Sequence, residues 1–182
     1  MTISPTMPSA TPPSRTIITT TSHLLKMQQE LVKHIAKGSG PFMAAIYDAN
    51  GDLIAKEVNS VVQTSCSHNH AEMNVIRTVE NKLGTYDLST HNLKLYVTAE
   101  PCTMCLGAIL WSGIKEIYYG VPSAQVEKIT GFDEGFKPNW IKEFKKRGIT
   151  VYGNIAPTEG EKVLKEYVKQ KRPIYKPKKV AI

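Results

Sequence analysis

Two short segments of the sequence contain residues that could together bind a metal ion. In SHNHAEMNVIR, His70 stands two residues before Glu72, and an apolar helical pattern follows. In AEPCTMC, Cys102 and Cys105 are three residues apart. One imidazole and two thiolates are ligands that suit tetrahedral Zn²⁺. Three protein ligands leave one coordination position open, which is typical of a catalytic zinc site and not of a structural one.

The two cysteines are predicted to lie on one face of the first turn of a helix, because residues three apart are neighbours on a helix surface. Pro101 suits the entry to that helix, since the N–H that proline lacks has no helical partner there. The partial positive charge of a helix N-terminus favours thiolates, the form that binds metal. A CxxC pair alone would also fit a redox dithiol, which usually follows the first strand of a βαβ unit.

Glu72 is predicted to transfer protons. Zinc can lower the pKa of bound water from about 15.7 to about 7, and a nearby carboxylate can take that proton and return it to a leaving group. The order H-x-E followed by P-C-x-x-C is the pattern of zinc deaminases, and here it reads HAE and PCTMC. Two alternatives are a closed structural site, with His68 or Cys66 as a fourth ligand, and a His70 that only caps a helix.

Composition excludes several other classes of protein. A chain of 182 residues with 41% hydrophobic and 21% charged residues is long enough for one globular domain with a buried core. It contains no apolar run of the roughly 20 residues needed to span a membrane. Three cysteines argue against a disulfide scaffold and for a reducing compartment, so a cytoplasmic location is expected.

The net charge of +7 comes mainly from the C-terminal end of the chain. Residues 161–182 contain eight lysines and arginines against two glutamates, a net charge of +6, and the rest of the chain contributes only +1. Such a tail can contact nucleic acid. A tail that is simply solvated is the other interpretation.

The surrounding sequence predicts an α/β domain with three layers and a five-stranded mixed sheet. A helical stripe begins at His23, Asn50-Gly51 indicates a hairpin, and a helix-containing link before the fifth strand favours a parallel crossover. Residues 1–22, rich in Ser, Thr and Pro, are expected to form a flexible arm. The predicted domain spans residues 23–172, and residues 173–182 form a basic tail.

Over roughly residues 23–172 the sequence resembles the cytidine-deaminase-like superfamily of zinc deaminases. GPFMAAI and EPCTMCLGAILWSGIKEIYYG are similar to both guanine deaminases and tRNA adenosine deaminases. GFDEGFKPNW, RGITV and the PIYK tail look like segments of bacterial guanine deaminases. The resemblance is therefore strongest to the bacterial type of guanine deaminase.

This resemblance implies roles for individual residues. Zinc would be held by His70, Cys102 and Cys105, and Glu72 would shuttle protons. Glu134 would be a second catalytic carboxylate beside the exocyclic amino group. Asn59 would hydrogen-bond the purine, and Phe42 and Trp111 would form apolar walls around its ring. Three further residues would also contact the substrate: Ala71, Asp133 and Tyr175. Ordinary core packing is the alternative for the two walls, and a solvated loop acid is the alternative for Glu134.

The resemblance implies the conversion of guanine to xanthine and ammonia by a homodimer in which the C-terminal segment reaches the partner's site. A tRNA adenosine deaminase, or a deaminase of guanosine or another aminated heterocycle, is the alternative among enzymes. An inactive zinc-binding subunit that binds RNA is an alternative of another class, but such proteins typically lack the glutamate that stands here as Glu72.

Overall fold

A computed structural model describes residues 14–137 and 139–176 of the chain. Its five strands are β1 Met43–Tyr47, β2 Leu53–Val58, β3 Lys94–Ala99, β4 Glu116–Val121 and β5 Thr150–Tyr152. Its helices are α1 Ser14–Ala36, α2 Val61–Thr64, α3 Ala71–Leu83, α4 Thr103–Ser112, α5 Ser123–Thr130, α6 Trp140–Lys146 and α7 Pro157–Lys169. None of the helices in these two ranges is both long enough and apolar enough to cross a membrane.

The strands form one mixed sheet, as the sequence predicts, and their order in it is β2-β1-β3-β4-β5. β1 is antiparallel to both β2 and β3, whereas β3, β4 and β5 are parallel. The turn between β1 and β2 contains Gly51 at φ +90°, a backbone conformation that glycine adopts readily. The link that contains α6 returns the chain to the same end of the sheet, so β5 pairs with β4 in parallel.

The two faces of the sheet are covered by different helices, which confirms the three-layer architecture. Successive side chains of a strand point to opposite faces. Ala44 and Ile46 of β1 therefore belong to the core cluster that contains residues of α3, α4 and α6. Met43 and Ala45 belong to the cluster formed with α1 and α7.

Helices α3 and α4 pack against each other, and each ends at a glycine. The apolar residues Ile76 and Val79 of α3 are buried, as the helical period requires. Gly84 and Gly113 follow the two helices in the left-handed conformation that commonly ends a helix. The residues directly before the two helices, His70 and Cys102, have side chains 3.5 Å apart, measured from Nδ1 to Sγ.

The structure differs from the sequence prediction in three helices, of which the four-residue α2 was not predicted. Helix α1 begins at Ser14, so it includes the last nine residues of the segment predicted as an arm, and Thr20 within it is fully buried. The prediction relied on the Ser/Thr/Pro composition, and composition does not indicate that Thr20 is buried inside the protein. Helix α5 was not predicted, although Pro122 before it and Gly131 after it are ordinary boundary residues. Of the predicted tail, residues 177–182 lie outside the described residues.

Candidate active site

His70, Cys102 and Cys105 converge on one point between α3 and α4. The Nδ1 atom of His70 lies 3.5 Å from Sγ of Cys102 and 3.6 Å from Sγ of Cys105. The two sulfur atoms are 3.6 Å apart. These three form the only group of metal-ligating side chains found among the described residues. The structure thus brings together the three residues that the sequence predicts as ligands.

The triangle of ligand atoms has the dimensions that a zinc ion requires. Zn–S bonds of about 2.3 Å and a Zn–N bond of about 2.1 Å, at tetrahedral angles, place neighbouring ligand atoms about 3.6 to 3.8 Å apart. The observed separations of 3.5, 3.6 and 3.6 Å are close to these edges. The donor set and its geometry therefore fit a zinc ion with one position left for a non-protein ligand.

The ligands converge because two of them occupy the positions immediately before a helix. His70 is the N-cap residue of α3, and Cys102 is the N-cap residue of α4, both with extended backbone angles. Cys105 lies one turn into α4 and is buried. Cys102 follows the end of β3 by three residues, so the central strand of the sheet fixes the start of α4.

The two thiols are electrostatically different in the metal-free chain. A hydrogen bond with Cys105 and the neighbouring His70 lower the pKa of Cys102 to about 4. The same hydrogen bond and burial raise the pKa of Cys105 well above its usual value. Burial opposes protonation of His70, but the hydrogen bond and the charge of Cys102 raise its pKa overall. A divalent cation would displace the protons that hydrogen-bond these three side chains to one another, because a thiol that coordinates a metal is deprotonated outright.

Glu72 is buried at the start of α3, two residues after the histidine ligand. Burial, followed by the charge of Cys102, raises the pKa of its carboxyl to about 7. A group with this pKa can accept and release a proton at neutral pH, which is the property a general acid and base needs. The position agrees with the proton-transfer role that the sequence predicts.

A cleft of about 1160 Å³ opens over the metal ligands. Its walls include Phe42, Asn59, Asp133, Glu134 and Tyr175, five of the residues that the resemblance assigns to catalysis or substrate contact. Clefts of this kind, apolar with a few convergent polar groups, are the usual form of small-molecule sites.

Glu134 is a second buried carboxyl in this cleft. Burial raises its pKa to about 8, with an opposing effect of Lys137 and a reinforcing effect of Cys102. The solvated loop acid that the sequence left open as an alternative does not describe this residue. Asp133 beside it is exposed, and its Oδ1 accepts a 2.9 Å hydrogen bond from the backbone N–H of Gly135.

Asn59 is fully buried at one end of the cleft, and its amide is held on both sides. Its Nδ2 donates to the hydroxyl of Tyr175 at 2.7 Å, and its Oδ1 accepts from the backbone N–H of Val61 at 3.3 Å. A Cβ atom at Gly40 would lie 2.7 Å from Oδ1 of Asn59. Glycine at position 40 therefore allows the segment that leads to Phe42 to approach Asn59 closely.

The structure does not bring Trp111 and Ala71 into the cleft. Trp111 lies on the outer side of α4 with 87% of its surface exposed, and it is not among the residues that line the cleft. The helical period explains this position, since six residues separate it from the buried Cys105 and turn it away from the sheet. Ala71 is fully buried in the core cluster between the sheet, α3 and α4.

Cys66 and His68 contact each other and lie apart from the ligand triangle. Sγ of Cys66 is 3.3 Å from Nε2 of His68. Neither residue belongs to the group of ligands described above. Within the described ranges the structure gives no support to a closed site with either of them as the fourth ligand.

The sequence analysis missed an aromatic residue that shapes the cleft. Phe132 is buried, with ring centroids 5.4 Å from Phe42 and 4.8 Å from Tyr175. It stands in the GFDEGFKPNW segment two residues before Glu134, so its place in that motif was the available signal. Together the three rings form the apolar wall that Phe42 and Trp111 were predicted to form.

The fold and the ligand triangle are those of a zinc deaminase. Over residues 18–121 the chain matches the family model for the cytidine and deoxycytidylate deaminase zinc-binding region. The chain belongs to this family, and it is a hydrolase that acts on the C–N bond of a cyclic amidine.

Among curated proteins, the chain is similar to guanine deaminase of Bacillus subtilis, with 38% identity over 97 residues. That match covers 53% of this chain and 60% of the Bacillus protein. It is also similar to the tRNA-specific adenosine deaminase of Agrobacterium fabrum, with 32% identity over 130 residues, which cover 71% and 82% of the two chains.

Solved structures show the same fold, one of them with a bound purine. A structure of the protein NE0047 in complex with 2,6-diaminopurine matches with a TM-score of 0.77 and 37% identity, over 86% of this chain and 83% of that one. The structure of guanine deaminase from Nitrosomonas europaea matches with a TM-score of 0.73 and 31% identity, over 92% and 98% of the two chains.

Proposed function

We propose that the protein hydrolyses guanine to xanthine and ammonia. The observation that carries this proposal is the pair of buried carboxyls, Glu72 and Glu134, in one cleft over the ligand triangle. Both have a pKa raised by burial, to about 7 and about 8. The similarity to guanine deaminases in sequence and in structure supports the same substrate.

The chain's own residues would divide the work between binding and proton transfer. His70, Cys102 and Cys105 would hold zinc, which supplies a water of lowered pKa as nucleophile at neutral pH. Glu72 would accept the proton of that water and deliver it to the amino nitrogen on C2 of the base. The water oxygen would bond to C2, and the bond between C2 and the amino nitrogen would break to release ammonia. The second proton of the water would pass to N3 of the ring, so that the oxygen becomes the new carbonyl oxygen of xanthine.

Glu134 would act at the exocyclic amino group, which is a poor leaving group without an acid beside it. Asn59 would hydrogen-bond the purine ring, and Phe42, Phe132 and Tyr175 would enclose it. Four residues that line the cleft are acidic, namely Glu72, Glu100, Asp133 and Glu134, and one lining residue, Lys176, is basic. Burial raises the pKa of Glu72 and Glu134 to about 7 and about 8, so these two carboxyls are largely uncharged near neutral pH. A lining with a single lysine and no arginine offers few cations to a nucleic acid backbone and fits an uncharged aminated base better.

Deamination of adenosine in tRNA is the second candidate. The longer similarity to tRNA-specific adenosine deaminases and the basic C-terminal residues favour it. This activity would need contacts with several phosphates, and binding would then weaken steeply as salt is added. A deaminase of a free base depends on salt far less.

The deciding experiment measures ammonia release with guanine, guanosine, adenine, cytosine and a tRNA anticodon stem-loop, at two salt concentrations. We expect turnover of guanine with little dependence on salt. If the protein acts only on the stem-loop and loses this activity at high salt, guanine deamination is wrong and tRNA adenosine deamination is the function. No turnover of any of the five by zinc-loaded protein would contradict both proposals.

We also propose that the protein forms a homodimer through α4. The four exposed residues of this helix are all apolar, namely Met104, Gly107, Leu110 and Trp111. A helix that is apolar all round is normally buried. Because the face has no charge, a second copy can cover it without charge repulsion between two basic chains. Tyr175 lines the cleft, where its hydroxyl accepts a hydrogen bond from Nδ2 of Asn59. Exchange of the C-terminal segment between the two subunits stays a prediction.

A further inference from the structure

The segment that carries Glu134 has no regular secondary structure, yet its backbone is fixed to the metal-binding turn. Residues 131–137 connect α5 to the residues before α6. The backbone N–H of Thr103 donates to the carbonyl oxygen of Glu134 at 3.2 Å, and its hydroxyl donates to the carbonyl oxygen of Phe136 at 2.7 Å. A Cβ atom at Gly135 would lie 2.6 Å from Oγ1 of Thr103, so the close approach requires glycine there. The N-terminal residue of α4 therefore holds the middle of this loop.

The far end of the loop is held by the side chain of Lys137, which is only 9% exposed. Its Nζ donates to the carbonyl oxygen of Pro101 at 3.1 Å and to the hydroxyl of Ser123. It also lies 3.7 Å from Oε1 of Glu100. Since Pro101 directly precedes the ligand Cys102, this lysine ties the loop to the segment that carries the metal ligand.

Glu100 completes a buried network around Lys137. Its side chain is 13% exposed, and both of its oxygens have partners. Oε1 accepts from Nε1 of Trp140 at 2.8 Å, and Oε2 accepts from the backbone N–H of Ser123 at 2.9 Å. One carboxylate thus joins the end of β3 to the starts of α5 and α6, on both sides of the loop.

Stability alone does not account for this buried ion pair. Removing two charges from water costs free energy that their attraction often only balances, so such a pair is weak support for a stabilising role. Lys137 and Glu100 are not metal ligands. What the pair does fix is the geometry between the loop that carries Glu134 and the turn that contains Cys102.

We propose that Lys137 is a positioning residue that holds the Glu134 carboxyl over the ligand triangle by clamping the loop to Glu100 and Pro101. The proposal rests on guanine deamination as the function, because it assigns Glu134 a part in that reaction. A reacting group must be held to within about 0.5 Å to be effective, and packed supporting contacts of this kind supply that precision. The charge of Lys137 also reaches Glu134, where it opposes the effect of burial on the carboxyl.

The test is a double-mutant cycle between positions 137 and 134. We expect Lys137→Met to lower kcat for guanine on the order of 100-fold, the effect of a displacement of about 1 Å at a reacting group. KM and zinc content should change little, and Lys137→Arg should restore part of the rate. In the Glu134→Gln background, Lys137→Met should cause no further loss of kcat. The control is Lys162→Met, a lysine 70% exposed on α7.

A loss of kcat by the same factor in both backgrounds would overturn the proposal, because a purely structural role would act regardless of Glu134. Lys137→Met alone leaves the Glu100 carboxylate buried without its cation. If that variant does not fold, the double variant Glu100→Gln, Lys137→Met, which has no such carboxylate, replaces Lys137→Met in the cycle.

Amide hydrogen exchange tests the clamp without any substrate. In Lys137→Met we expect faster exchange at Glu134, Gly135 and Thr103, with α3 unchanged. Unchanged protection of these amides would overturn the proposal. Wild-type protein that deaminates no purine would instead overturn the proposed function, and the exchange measurement would still decide whether Lys137 holds the loop.

Discussion

Nδ2 of Asn59 donates a 2.7 Å hydrogen bond to the hydroxyl of Tyr175, a residue 116 positions later in the chain. This bond joins the loop after β2 to the last described residues, and both of its residues line the cleft. The ring of Tyr175 also packs against Phe132, with centroids 4.8 Å apart. The amide of Asn59 therefore has a fixed orientation, with its donor group directed towards Tyr175, which also lines the cleft.

Replacing Asn59 by alanine should raise KM for guanine about fivefold. A hydrogen bond to an uncharged ligand contributes roughly 1 kcal/mol, and 1.4 kcal/mol corresponds to a factor of ten in affinity. Steady-state kinetics and calorimetric binding of a purine analogue would measure the change. Asn81→Ala, on the exposed side of α3, is the control and should leave both constants as they are. Equal KM values for the two variants would remove Asn59 from the binding site.

Glu72→Gln should lower kcat by a factor of about 10² to 10⁴, the usual contribution of a general acid and base. The amide keeps the shape of the carboxyl but cannot take up a proton from water. Zinc content should stay at that of the wild type, because Glu72 is not a ligand. The control is Glu80→Gln, because Glu80 is a partly buried carboxyl on the same helix, eight residues after Glu72. Ammonia release that survives in Glu72→Gln would show that another group transfers the proton.

Cys105→Ser should abolish stoichiometric zinc binding, whereas Cys66→Ser should retain it. Cys66 is also free, but it lies outside the ligand triangle. Metal analysis after dialysis against a weak chelator would distinguish them. In metal-free wild type, the low pKa of Cys102 keeps it a thiolate at pH 6, so iodoacetamide should modify it there, and zinc should prevent this. Retention of zinc by Cys105→Ser would contradict the assignment.

The metal ligands were predictable because each depends on a local pattern. The motifs HxE and PCxxC place a histidine and a cysteine directly before a helix. Once the two helix N-termini lie close together, these positions determine which side chains can meet. The five strands were predictable for the same kind of reason, since their apolar runs and the Asn50-Gly51 turn are local signals.

What the sequence could not show is the direction in which a side chain on a helix surface points. Trp111 was predicted to form a wall of the cleft, yet the helical rotation from Cys105 places it outside. The loop network around Lys137 was equally hidden, because Glu100, Ser123 and Trp140 are far apart in the chain. No local pattern indicates that they meet.

Trp111→Glu should convert the proposed dimer to monomers. A carboxylate in the centre of an uncharged apolar interface would be buried without a partner, which is costly. Light scattering should show a mass halved relative to wild type. Tyr86→Glu is the matched control, since Tyr86 is 85% exposed but lies after α3, off the α4 face. A wild-type mass of one chain, or equal masses for both variants, would contradict a dimer through α4.

His23 should make the folded state less stable as the pH falls. Its ring stacks on Tyr47 with centroids 4.2 Å apart, and its buried Nδ1 has no hydrogen-bond partner among the described residues. Burial, followed by the charges of Lys26 and Lys94, lowers its pKa below the usual value of 6.5. The unfolded chain therefore takes up a proton at a higher pH than the folded chain does. The stability is fully present above about pH 6.5 and is lost as the pH falls towards the folded-state pKa.

Urea unfolding of zinc-loaded protein at pH 7.5 and pH 5.5 would measure this effect. His23→Phe keeps an aromatic ring against Tyr47 but has no proton to gain, so its free energy of unfolding should fall less between the two pH values than that of wild type. His91→Phe, at an exposed position, should follow wild type. Any loss of zinc at low pH affects all three proteins alike and cancels in the difference. Parallel decreases in wild type and His23→Phe would show that protonation of His23 is not coupled to unfolding.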